Sequence, residues 1–128
     1  MDTKIKMSNF AMAECIESLS PFLDRKDIIG YAAARNTRYL REASYEFGST
    51  KVEMLSKYGH PVVVDGIETD QIELRKDDPN FDFVLDKLNK LGVVEHEVTI
   101  FTITYEDVID KLSGREILSI DWMLTEPE

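Results

Sequence analysis

The stretch from Asp27 to Tyr58 constrains this chain more than any other, because about 30 residues pass there with no proline to break a helix. Apolar or small residues recur at alternating steps of four and three, at Ile29, Ala33, Leu40, Ala43, Phe47 and Met54, with Asn36 and Thr50 in the two remaining seam positions. That spacing predicts one long helix from Asp27 to Tyr58, capped by Asp24 or Asp27 and stopped by Gly59-His60-Pro61. Gly30 and Gly48 each cost about 1 kcal/mol relative to alanine inside a helix, so Gly48 marks a kink or an early end. Such a helix outreaches a domain of 128 residues, and its seam must be covered by a partner helix of the same chain or by a second copy.

Shorter elements surround it. Thr3 to Met7 reads as a strand with Ile5 and Met7 on one face, and Ser8 or Asn9 caps a helix carrying Phe10, Ala13, Ile16 and Leu19 that ends before Ser20-Pro21. Val62-Val63-Val64, Asp65-Gly66 and the run from Ile67 to Leu74 read as a hairpin, because Asp-Gly supplies the positive φ values of a two-residue turn. Asp78-Pro79 opens a helix whose stripe is Phe81, Val84, Leu85, Leu88 and Leu91, closed by Gly92. From Val94 to Ile103 the chain is β-branched, although Phe101 and Ile103 fall on the opposite parity to Val98 and Ile100; either both faces are buried or a bulge shifts the phase. Thr104 with Asp107, and Ser113 with Glu116, match the spacing of a capping box, so short helices are predicted at about 105–112 and 114–124. Without a linker, repeat or low-complexity segment, the expectation is a single α+β domain over 1–128: a long central helix packed with shorter helices and a small β-sheet.

The 43% apolar fraction suits a packed globule. No apolar run approaches the roughly 20 residues that span a bilayer, and Met1-Asp2-Thr3-Lys4 opens no apolar signal region, so a cytoplasmic protein without membrane contact is expected. Cys15 is the one cysteine, which excludes an internal disulfide and any multi-cysteine metal site, and its neighbours Ala13 and Ile16 mark it as a buried, inert thiol. The net charge of −10 is unevenly spread: residues 1–60 hold nine Lys and Arg against eight Asp and Glu, and residues 61–128 hold six against seventeen. So acidic a second half disfavours direct nucleic-acid binding, where affinity comes from cations displacing counterions.

Nothing in the residue pattern points to catalysis, a cofactor or a metal. His60 and His96 have no second histidine or cysteine at ligand spacing, and in an alternating strand Glu95 and Glu97 face away from His96. Gly59, Gly66 and Gly92 are isolated turn or cap residues rather than a phosphate loop, and no serine sits in the glycine-flanked turn that would expose a nucleophile.

One cluster stands against the acidic background. Residues 25–41 carry Arg25, Lys26, Arg35, Arg38 and Arg41 against Asp27 alone, and at steps of three Arg35, Arg38 and Arg41 form a band on the helix. Two readings follow. The band pairs with Glu42, Glu46 or the acidic second half, or, with Tyr31, Tyr39 and Tyr45 interleaved, it binds a protein partner or another copy of the chain. A separate reading treats the acidic half as a mimic of nucleic acid that occupies a host DNA-binding protein.

The order of parts also resembles a known group. Ile5-Lys6-Met7, an amphipathic helix, then Ala34-Arg35-Asn36-Thr37-Arg38 leading to Lys57-Tyr58-Gly59 and an Asp-Gly turn, is similar to the DUF1617-like family of small proteins encoded by bacteriophages and prophages of Gram-positive bacteria. Tyr105-Glu106-Asp107-Val108 and the run from Leu118 to Leu124 before an acidic tail fit the same group, while His60-Pro61 stands where that group carries acidic residues. The resemblance implies a phage-derived cytoplasmic or assembly-related protein and supplies no activity, so no functional residue follows from it.

Overall fold

The computed structural model describes residues 1–126. In chain order they form β1 (Asp2–Ser8), α1 (Asn9–Leu19), α2 (Ile28–Ala43), α3 (Tyr45–Tyr58), β2 (His60–Val64), β3 (Ile67–Glu73), α4 (Phe81–Gly92), β4 (Glu95–Phe101), β5 (Ile103–Thr104), α5 (Gly114–Ser119) and β6 (Leu124–Thr125). Single 3-10 turns lie at Ser20–Phe22, Tyr105–Asp107 and Asp121–Met123. The class is α+β, as the sequence predicts. Instead of one small sheet, the described strands make separate pairs: β1–β4 and β2–β3 antiparallel, β5–β6 parallel. Contacts divide the chain into two compact units, Met1–Ser44 together with the chain from Glu95 onward, and Tyr45–Val94.

The helix predicted to run unbroken from Asp27 to Tyr58 is two helices. Ser44 leaves the helical line at φ −100°, ψ 7°, and both its amide and its hydroxyl donate to the Leu40 carbonyl, at 2.9 and 2.7 Å. A hydroxyl turned back onto that carbonyl competes with the helical ladder. Gly48, where the sequence placed the weak point, stays inside α3.

In the first unit, Ser8 caps α1 by accepting from the Ala11 amide at 3.0 Å, and Pro21 ends it in a 3-10 turn. Asp27 caps α2, accepting from the Gly30 amide at 3.2 Å. The same carboxylate accepts from both Nε and Nη2 of Arg25, the closest contact at 2.7 Å, and that guanidinium holds the Asp27 carboxyl down at about 2. Gly30 has a specific purpose: a Cβ there would meet the Arg25 carbonyl oxygen at 2.0 Å, so the turn before α2 can lie against the helix only if position 30 has no side chain. The seam residues Ile29, Ala33, Asn36 and Leu40 are buried, and with Met12, Leu19, Ile100, Val108, Ile120 and Met123 they belong to one interior where α2 packs on α1 and β4.

Asn36 is more than a seam filler. The Thr102 amide donates to the Met1 carbonyl at 2.7 Å, so by antiparallel alternation the Phe101 amide and carbonyl face away from β1. Asn36 satisfies both, accepting from Phe101 N at 2.6 Å and donating to Phe101 O at 2.9 Å. Its amide thereby closes the free edge of β4 as a third strand would. The parity change predicted near Phe101 has its cause next door: β4 ends at Phe101, and after Thr102 the chain pairs with a different strand, Ile103 opposite Leu124. Both capping boxes form, at Thr104 with Asp107 and Ser113 with Glu116, but the helices they open are shorter than predicted, a 3-10 turn and the six residues of α5.

The second unit joins α3, the β2–β3 hairpin and α4. Asp65 and Gly66 both adopt positive φ, 52° and 79°, as the two-residue turn requires. Asp78 opens an Asx turn, accepting from the Asn80 amide at 2.8 Å, so α4 begins at Phe81 rather than at Pro79. Its buried apolar side chains are Phe47 and Val84, while Val52, Val63, Val64, Ile67, Phe83, Leu85 and Leu91 remain exposed. No helix of the described residues is long and apolar enough to cross a membrane.

Candidate functional site: the outer face of α2

The predicted arginine band divides into two kinds of residue. Arg35 is held in place. Tyr31 and Tyr39 lie four residues to either side, and Phe101 reaches it from β4, so its guanidinium carbon sits 5.7, 5.4 and 5.1 Å from the three ring centroids. The same group donates to the Tyr31 hydroxyl at 3.0 Å, to the Tyr39 hydroxyl, and to the Asp2 carboxylate at 3.3 Å. Tyr31 also meets Phe101 edge to face at 5.4 Å. These acceptors stabilise the charged form, so the Arg35 pKa is raised, first by the bond to Tyr31 and then by that to Tyr39.

Arg38 and Arg41 differ. Both are exposed, and among the described residues neither has an ion pair, not even with Glu42 in the following turn. Arg38 and Ala34 lie between two shallow recesses. One, of about 290 Å³, is lined by Tyr31, Arg35 and Tyr39; the other, of about 390 Å³, by Leu23, Thr37, Arg41 and Glu42. The face is therefore a fixed aromatic wall beside two free cations.

Of the sequence-predicted residues, Tyr31, Arg35, Arg38 and Tyr39 come together and Arg41 lies on the adjoining recess. Tyr45 opens α3 in the second unit and is exposed. Where Glu42, Glu46 or the acidic second half are the expected partners of the band, Arg35 pairs with Asp2. Asp2 and Phe101 escape sequence reading because they reach Arg35 through strand register, Asp2 lying opposite Phe101 in the β1–β4 pair.

Outside this face the chemistry is sparse. Cys15 is half-buried, and burial followed by the charge of Glu14 pushes its thiol up to about 11, so it stays protonated near neutral pH. His60 pairs with Asp78 at 2.8 Å, and His96 lies opposite Met7. Among the described residues no group of three His, Cys, Asp or Glu side chains is placed to hold a metal ion. No known protein family, curated protein or solved structure matches this chain.

Proposed function

We propose that this chain is a non-enzymatic, cytoplasmic binding module that docks a protein partner or another copy of itself through the outer face of α2. The observation that carries this reading is the contrast within one helix, where Arg35 is held by three rings and Asp2 while Arg38 and Arg41 have no ion pair among the described residues of a chain of net charge −10. Two arginines with no ion pair among the described residues keep their charge available for a contact. Arginine and tyrosine dominate interface energetics, and ring positions fixed before contact lower the ordering cost of binding. The partner surface is accordingly acidic with apolar contacts. The likeness to small phage proteins directs the search for it to an infected or prophage-carrying cell.

The test is charge reversal at Arg38→Glu with Arg41→Glu, reading recovery of partners from such a cell and the solution mass of the purified chain. Arg35 is left intact because its replacement would disturb the ring cluster itself. Loss of a stoichiometric association with the fold unchanged supports the reading, and an association that survives both substitutions removes it. The nucleic-acid-mimic alternative places binding in the acidic half and predicts survival.

A further inference from the structure

We infer that the α2 face receives the outer face of the β2–β3 hairpin from a second copy of this chain. The inference rests on the α2 reading and names its partner. Register puts Val63 opposite Glu68 and Pro61 opposite Ile72, and between these pairs Val62 faces Thr69, Asp70 and Gln71, a bulge in which the Thr69 hydroxyl donates to the Val62 carbonyl at 2.8 Å. Thr69 and Glu73 are half-buried. The exposed surface of the hairpin carries Val63 at 58% exposure and Ile72 at 42%, together with two exposed carboxylates, Glu68 and Asp70. From His60 to Leu74 the chain contains Asp65, Glu68, Asp70 and Glu73 and no lysine or arginine.

This surface is the complement of the α2 face. One presents carboxylates among exposed aliphatic side chains; the other presents Arg38 and Arg41 between the exposed apolar surfaces of Tyr31 and Leu23. Their lengths agree as well, since the sixteen residues of α2 span about 24 Å and the seven of β3 about 23 Å. Each copy would contribute a different patch to each contact, so the association is head-to-tail and grows into a ring or a chain.

The experiment compares two variants and their mixture. Arg38→Glu with Arg41→Glu disables the receiving face, and Glu68→Lys with Asp70→Lys disables the donating one; all four positions are exposed, and circular dichroism checks the fold of each. Sedimentation of the wild-type chain from about 1 µM to about 1 mM should show mass rising with concentration. Each variant alone should associate about a hundredfold more weakly or worse, because like charges meet in the contact. Mixed together, the two variants should associate again, since every contact between unlike copies meets opposite charge: the native arginines on the native carboxylates, and the introduced glutamates on the introduced lysines. A wild-type chain monomeric throughout, or a mixture that stays monomeric, overturns the inference. If the monomeric chain still captures a different protein that Arg38→Glu with Arg41→Glu abolishes, self-docking falls and the α2 reading stands.

Discussion

The two units bury their apolar residues very differently. In the first, α1, α2, β1 and β4 share a continuous interior that runs from Met7 and Met12 through Ile29, Leu40 and Ile100 to Ile120 and Met123. In the second, of about 50 residues, Phe47 and Val84 are the buried apolar side chains, and the hairpin and both helices leave aliphatic and aromatic surface in water. The first unit thus has the packing to hold a side chain such as Arg35 in one geometry. The second leaves most of its apolar side chains exposed. A fixed charged face and an exposed acidic hairpin are different products of one chain, and the difference lies in how much of each unit's apolar area is removed from water.

The comparison can be broken in several ways. Asn36→Ala should cost about 3 kcal/mol or more in urea unfolding, because it opens a cavity and strands the outward Phe101 amide and carbonyl. The same change of residue type at two strand positions should separate the units: Ile100→Ala about 3 kcal/mol, Ile67→Ala within about 0.5 kcal/mol, the first being buried and the second 70% exposed. Equal costs would erase the contrast. Gly30→Ala should cost about 2 kcal/mol by pushing a Cβ onto the Arg25 carbonyl, read as a lowered thermal midpoint.

Acid sharpens the picture of the first unit. The Asp27 carboxyl is lowered from 3.8 to about 2, so its contribution to stability is present above the unfolded value and is lost as pH falls through about 4 towards 2. Asp27→Asn keeps an acceptor for the cap and loses the ion pair with Arg25. Its unfolding midpoint should therefore fall below that of the wild type at neutral pH and converge with it near pH 2. The smallest effect is expected at Arg38→Ala with Arg41→Ala, within about 0.5 kcal/mol of wild type, because neither side chain has an ion pair to lose.

Local features were legible in the sequence wherever neighbouring residues decide them. The Ser8 cap, the stop at Pro21, the Asp65-Gly66 turn and both capping boxes stand where spacing put them. The end of α2 at Ser44 was not legible, since Ala43-Ser44-Tyr45 contains no helix breaker and the cause is a single hydroxyl bonded back to Leu40. The roles within the arginine band were equally hidden. Arg35, Arg38 and Arg41 are alike in type and spacing, and only the register that brings Asp2 and Phe101 beneath α2 separates the held arginine from the free ones. Asn36 shows the same limit, because its partner is the backbone of a strand far along the chain.

Native-state hydrogen exchange tests the contrast between the units most directly. Amides of α2 and β4 should exchange only through global unfolding, while those of α3, the hairpin and α4 should open at distinctly lower free energy and respond less to denaturant. Protection of equal depth and equal denaturant dependence in both units would contradict the account.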